Sequence, residues 1–254
     1  MSDLFRLDGR VAVVTGATSD IGQAISRTLA QLGADLALTS REAARLVPLA
    51  EEVRRMGRRA WTFSLDLADV NQVQEVFGAI VAACGRIDVL VNNAGTILRR
   101  PSLEMTAAEW DEVMNVNLRG AFFACQQAAR AMRAAGRGGK IVNISSTHGM
   151  AAFPERAAYA VSKAALNHLT RVLAREWAPY GICVNAVAPT TTRTRTREPL
   201  LADPETYRRL VSRIPMGRPA EPPDIVGAVA FLASPASDFI TGQVLAVDGG
   251  QTTG

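Results

Sequence analysis

The chain has 254 residues, 48% hydrophobic and 20% charged, which is enough apolar content for one substantial core and unlike a disordered or fibrous chain. Its net charge is +4, from 28 lysines and arginines against 24 acids; the arginines are scattered and no basic run is interleaved with aromatics, which excludes the usual footprint of nucleic-acid binding. No apolar run reaches the roughly 18 residues of a membrane span, the opening MSDLFRLDGRVAVV lacks a secretory pattern, and Cys84, Cys125 and Cys183 form no CxxC pair, so a cytoplasmic protein with reduced thiols and no membrane partner is expected.

Short apolar runs alternate with helix-period segments. Strands are predicted at VAVVT (11–15), ADLALT (34–39), AWTFSLD (60–66), IDVLVNN (87–93), KIVNIS (140–145), CVNAVAP (183–189) and QVLAVDGG (243–250). So little alternation suits strands buried on both faces of a parallel sheet. Between them Ile21, Ala24, Ile25, Leu29 and Leu32 repeat at helical spacing, as do Val73, Val76, Phe77 and Ile80. Pro48 predicts that the helix after the second strand begins late or bends. TAAE, 106–109, has capping-box spacing ahead of a helix running past Phe122 towards Met132. The rhythm implies a single α/β domain over 1–254, with a doubly wound parallel sheet in three layers. The stretch PTTTRTRTREPLLAD, 189–203, is too long for a simple connector; it predicts an irregular functional loop, with the substrate loop spanning about 189–215.

Directly after the first strand, TGATSDIG, 15–22, opens a helix. A glycine turn there lets backbone N–H groups approach a pyrophosphate, where the helix dipole favours negative charge. An anion about 6 Å from a phosphate would cost roughly 3 kcal/mol at an effective dielectric near 20. Asp20 is therefore expected to turn its carboxylate away and to cap the helix at Ile21. The second strand ends in Ser40 and Arg41 with no acid, which favours the 2′-phosphate of NADP over NAD.

Tyr159 and Lys163 stand four apart in a helical segment and share one face. A nearby cation lowers an acidic group by about 1 to 3 units, so Tyr159 is expected to exchange protons near neutrality. The chain has only two lysines, Lys140 and Lys163, among many arginines; a planar guanidinium cannot replace a compact ammonium at such a place. Ser146, at the C-terminal end of the fifth predicted strand, can donate to a developing oxyanion. His148 and His168 form no metal-ligand cluster with cysteine, and no metal is expected; His148 is placed to reach a substrate.

These residues together resemble the short-chain dehydrogenase/reductase family over nearly the whole chain, from the TGxxxGxG turn to VDGG at 247–250, with a Rossmann-type fold. Two positions depart from its pattern: Asp20 replaces the middle glycine of the turn, and Thr190 replaces the glycine that follows Pro189. The resemblance implies an Asn117–Ser146–Tyr159–Lys163 tetrad, the asparagine holding a water behind the lysine. It further implies cofactor contacts from Gly16, Ser19, Asp20, Ile21, Gly22, Arg41, Asp66, Leu67, Asn93, Ala94, Gly95, Tyr159, Lys163, Pro189 and Thr194. The expected function is NAD(P)-dependent hydride transfer to or from a secondary alcohol or ketone. Arg99 and Arg100, with Arg193, Arg195 and Arg197, suit a carboxylate, and the first pair is similar to that of sugar-acid dehydrogenases. A 3-oxoacyl-thioester reductase is the alternative within the fold, and a non-catalytic cofactor sensor the alternative outside enzymes. A homotetramer packed through segments 107–135 and 157–179 is implied by the same resemblance.

Overall fold

In the computed structural model, which describes residues 2–253, seven parallel strands form one sheet: β1 (Val11–Val14), β2 (Asp35–Ser40), β3 (Ala60–Ser64), β4 (Val89–Asn92), β5 (Gly139–Ile144), β6 (Ile182–Pro189) and β7 (Val244–Val247). All seven predicted strands are present. Their order is β3-β2-β1-β4-β5-β6-β7, so the winding reverses between β1 and β4, where ligands of open parallel sheets gather.

The unbroken apolar runs have a simple cause. Val11 and Val13 of β1 join the core under α3 (Val70–Cys84), α5 (Ala121–Ala135) and α6 (Ala157–Trp177), whereas Ala12 and Val14 join the core under α1 (Asp20–Gln31), α2 (Val47–Arg55) and α9 (Pro222–Ala233). Both pleat faces are dry, and the result is the expected three-layer sandwich. Pro48 lies in the first turn of α2, behind a 3-10 turn at Ala43–Leu46, so this helix begins late. No helix is long and apolar enough to cross a membrane. Cys84 and Cys125 are buried free thiols, pushed up to about 11 and about 12 by burial.

Two stretches differ from expectation. The capping box exists, with Thr106 and Glu109 bonded reciprocally at the head of α4 (Ala107–Met114), but the helix then widens into a π turn over Asn115–Gly120 before continuing as α5. Such turns interrupt the regular hydrogen-bond ladder and are frequent at functional sites. The segment after β6 is also less irregular than predicted. It carries α7 (Glu198–Leu201) and α8 (Pro204–Val211), the second capped by Asp203 through the Thr206 N–H at 2.7 Å.

Candidate active site

Thr15 stitches the two sides of the reversal together. Its N–H donates to Val91 O at 3.0 Å, and its hydroxyl accepts from the N–H groups of Asn93 and Ala94, both at 3.1 Å. The Asn93 side chain donates to Thr15 O and Gly16 O at 2.9 Å and to Ser19 Oγ at 3.2 Å. Gly16 has φ +63°, and a Cβ there would come within 2.8 Å of Ala94 Cα. A Cβ on Gly22 would meet Gly16 O at 2.5 Å. The turn therefore requires both glycines. Among the described residues no carbonyl accepts from the N–H of Thr18, Asp20 or Ile21. Free donors at a helix N-terminus fit a pyrophosphate.

The expected role of Asp20 as helix cap is overturned. Ser19 is the cap, extended at φ −71° and ψ 157°, with its hydroxyl accepting from Gly22 N–H at 3.1 Å. Asp20 is the first helical residue. Its carboxylate is held by Arg195 through the backbone N–H and Nε, both at 2.6 Å.

On the neighbouring strand, Ser146 follows the end of β5 and Lys163 reaches back from α6 to donate to Ile144 O at 2.8 Å. Lys163 is buried, and burial lowers it to about 8. Its Nζ lies 5.8 Å from the Tyr159 ring centroid. The expectation that this ammonium acidifies the phenol is not met. Burial raises Tyr159 above its ordinary value, and the opposing influences come from Ser146 and the charges of Arg197 and Arg156. The cause is desolvation of the buried phenol, which outweighs those opposing influences.

Asn117 sits in the π turn and is buried. Its Oδ1 accepts from Thr96 N–H and its Nδ2 donates to Thr96 O, each at 2.8 Å, with a further donation to Ser162 Oγ at 3.1 Å. The side chain is thus committed to positioning, tying the loop after β4 to α6. Gly95 leaves room here, since a Cβ on it would stand 3.2 Å from Asn117 Oδ1 and 3.6 Å from Lys163 Nζ.

His148 belongs to this cluster. Its Nδ1 is 3.3 Å from Ser146 Oγ, its ring stacks on Phe153 at 4.2 Å and meets Tyr159 edge-on at 5.4 Å. Burial, then the charges of Arg156 and Arg197, lower it to about 4. Sequence reasoning missed Arg156, three residues before Tyr159, and its only signal was that adjacency.

The remaining predicted residues fall around the turn. Arg41 is exposed at the end of β2, and Glu42 leans towards Arg45 at 3.5 Å instead. Asp66 accepts from Ala68 N–H at 2.9 Å beside buried Leu67. Thr190 keeps β6 in register with β7 by donating its N–H to Val247 O at 3.2 Å and needs no positive φ. Its hydroxyl bonds Gln251, so the missing glycine leaves the strand end intact. Thr194 lines a groove of about 620 Å³ with Asp20, Arg193 and Arg195, and none of Ser146, Tyr159 or Lys163 lines it.

The family model described as enoyl-(acyl carrier protein) reductase matches residues 16–252. The chain is 40% identical over 247 residues to the 2-dehydro-3-deoxy-D-gluconate 5-dehydrogenase of Escherichia coli (strain K12), covering 97% of this chain and 96% of that one. It is 42% identical over 253 residues to the galactitol 2-dehydrogenase (L-tagatose-forming) of Cereibacter sphaeroides, covering 98% and 97%. The crystal structure of a gluconate 5-dehydrogenase from Burkholderia cenocepacia J2315, in complex with NADP and tartrate, superposes with a TM-score of 0.95 at 40% identity, covering 100% of this chain and 99% of that one. With a free-donor glycine turn at the sheet reversal and a Ser–Tyr–Lys cluster beside it, the chain belongs to the short-chain dehydrogenase/reductase family, and it is an NAD(P)-dependent oxidoreductase acting on a CH–OH group.

Proposed function

We propose that the protein is an NADP-dependent dehydrogenase of a polyhydroxylated secondary alcohol, a sugar, sugar acid or related polar compound, and reduces the matching ketone in reverse. The observation that carries this reading is the convergence of Ser146, Tyr159 and Lys163 at the C-terminal end of β5, next to the glycine turn. Bound NADP supplies or accepts the hydride. Ser146 Oγ donates to the substrate oxygen as negative charge develops there. The Tyr159 hydroxyl gives its proton to that oxygen in reduction and takes it back in oxidation. Lys163, anchored on Ile144 O, holds a positive charge beneath the phenol, and Asn117 fixes the loop that carries Gly95 against it.

NADP over NAD is supported by Arg41, an exposed guanidinium at the end of β2 whose acidic neighbour Glu42 faces Arg45. The names of the relatives support the substrate class: a deoxygluconate, galactitol, and a gluconate dehydrogenase holding tartrate. The segment 189–215 is the substrate loop. A cytoplasmic homotetramer packed through α4–α5 and α6 accounts for the exposed Val161 and Val172 on α6.

Initial rates of the purified protein with NADP and NAD against D-gluconate and galactitol, and with the reduced cofactors against the matching keto compounds and a short 3-oxoacyl thioester, test the proposal. Faster turnover with NADP on a sugar acid or polyol is expected. Activity confined to the thioester overturns the substrate class, and cofactor binding without turnover on any of them overturns the dehydrogenase reading.

A further inference from the structure

Most arginines of the loops around Tyr159 are already committed to carboxylates. Arg99 pairs with Glu155, Arg100 with Glu109 at 2.8 Å, Arg193 with Glu198 at 2.9 Å, and Arg195 with Asp20 at 2.6 Å. Arg156 and Arg197 are not. Among the described residues neither guanidinium has a carboxylate oxygen within 4.0 Å, and the one hydrogen bond of the Arg156 side chain goes to Glu155 O at 3.3 Å.

The backbone holds Arg156 in this state. Glu155 is the only non-glycine residue with positive φ among the described residues, at +59°. A left-handed residue of this kind persists only where its surroundings enforce it. Here the Arg100 N–H and Arg156 Nη1 both donate to Glu155 O, at 3.1 and 3.3 Å, while the Glu155 carboxylate is taken by Arg99. The acid next in sequence to Arg156 is thereby turned to another partner. Arg197 comes from the segment after β6, at the head of α7, with its N–H on Thr194 O at 2.8 Å and the Asp20–Arg195 contact two residues earlier.

We propose that Arg156 and Arg197 are the carboxylate-binding pair of this active site, one contributed by the start of α6 and the other by the substrate loop, and that the preferred substrate is a hydroxy acid whose carboxylate bridges them. The inference rests on the reading of the Tyr159 crevice as the substrate site and names the acid, in preference to the neutral polyol, as its substrate. Two half-buried guanidiniums bring a positive field onto the same groups, His148 and Tyr159, and act unfavourably on each other. An anion between them removes that repulsion, and the planar forks match a carboxylate bidentately. His148, uncharged beside them, adds no competing cation and leaves a ring nitrogen near Ser146 for a substrate hydroxyl. Because one arginine rides on the loop and the other on α6, the same anion draws the loop down over the crevice.

Tartrate serves as the probe, as an inhibitor of turnover and in direct titration calorimetry on the NADP-loaded protein. Arg156→Gln and Arg197→Gln are each expected to weaken tartrate binding on the order of 10-fold or more. NADP affinity should be unchanged, and Arg55→Gln on the exposed side of α2 should behave as wild type. With D-gluconate KM rises in both variants, whereas with galactitol it moves less than about 2-fold. If Arg156→Gln fails to fold in a thermal melt, Arg156→Lys keeps the charge but not the fork and is expected to weaken tartrate binding in the same direction. Tartrate that does not bind wild type, or binds either variant as well as wild type, overturns the pair. Arginine-dependent tartrate binding without turnover of D-gluconate or galactitol leaves the pair standing and refutes the dehydrogenase reading of the preceding subsection. Turnover of D-gluconate that neither variant affects does the reverse.

Discussion

Asp20 and Arg195, 175 positions apart in the chain, are joined by two contacts of 2.6 Å, one from the Arg195 backbone N–H and one from its Nε. The residue that departs from the family's middle glycine therefore fastens the loop after β6 to the glycine turn. Arg195 is 71% exposed, so the charge pair itself is worth only about 0.2–1 kcal/mol. That is too little to fold the loop but enough to bias how often it opens.

Asp20→Gly is expected to leave NADP affinity equal or better, since it removes an anion near the phosphate turn, and to free the loop. Trypsin cuts after arginine, so Arg193, Arg195 and Arg197 become a built-in reporter. Cleavage at 193–197 should accelerate several-fold in Asp20→Gly, and to the same extent in Asp20→Asn. A large loss of NADP affinity with unchanged cleavage would mean that Asp20 is a cofactor ligand.

Arg41→Asp is expected to exchange the cofactor preference. It replaces a free guanidinium at the end of β2 by a carboxylate that repels a 2′-phosphate and accepts from a ribose hydroxyl. The ratio of kcat/KM for NADP over NAD should fall on the order of 10-fold or more, the scale of a charge-assisted hydrogen bond lost. An unmoved ratio would place the phosphate elsewhere.

Much of this fold could be read in the chain. The seven apolar runs, the helix periods and the Thr106–Glu109 box all depend on local pattern, and each formed where its pattern stood. The features that could not be read are tertiary. MNVNLRG continues the helical spacing, so nothing local marks the π turn that places Asn117 against Thr96 and Ser162. Ser19 and Asp20 are both good caps; Ser19 caps, and the Asp20 carboxylate goes to Arg195 on a distant loop, a partner no local pattern announces. Six arginines look equivalent in sequence until Glu155, Glu109, Glu198 and Asp20 take up four of them.

Tyr159→Phe removes the transferred proton and keeps the ring that His148 meets edge-on. Turnover should fall by about 100- to 10,000-fold with NADP binding intact. Ser146→Ala should cost a similar factor and also release His148 Nδ1. Single-turnover kinetics with NADPH and the keto substrate separate this from slow product release, and a Tyr159→Phe variant retaining wild-type rates would remove the phenol from the mechanism.

Lys163 makes the folded protein pH-dependent in a defined sense. Burial lowers it from 10.5 to about 8. Between those values the unfolded chain holds the proton and the folded chain does not, so the stability contributed through this group rises with pH across the window. Below pH 8 the folded protein carries the full cost of a buried charge, about 3 kcal/mol. Lys163→Met should therefore abolish turnover yet resist urea better than wild type at pH 7. The gain is reduced by about 1 kcal/mol for the lost bond to Ile144 O. Urea midpoints should converge as the pH is raised towards 10, and a constant difference would mean that another group titrates.

His148 works in the opposite range. Its pKa falls from 6.5 to about 4, first through burial and then through Arg156 and Arg197. Between these values the unfolded chain binds the proton that the folded chain refuses, so the stability is fully present above pH 6.5 and is lost as the pH falls towards 4. The loss is at most about 3 kcal/mol. His148→Gln keeps a polar side chain without the titration, and its stability should fall less steeply from pH 6.5 to 4. Urea unfolding over that range measures the difference. Part of the depression comes from two guanidiniums, so an anion bridging them should raise the pKa of His148 and flatten the wild-type curve. Repeating the titration with saturating tartrate should bring wild type closer to His148→Gln, once the stabilisation from tartrate binding itself is subtracted from both. If tartrate shifts both curves in parallel, the charges acting on His148 are not the ones that bind the acid.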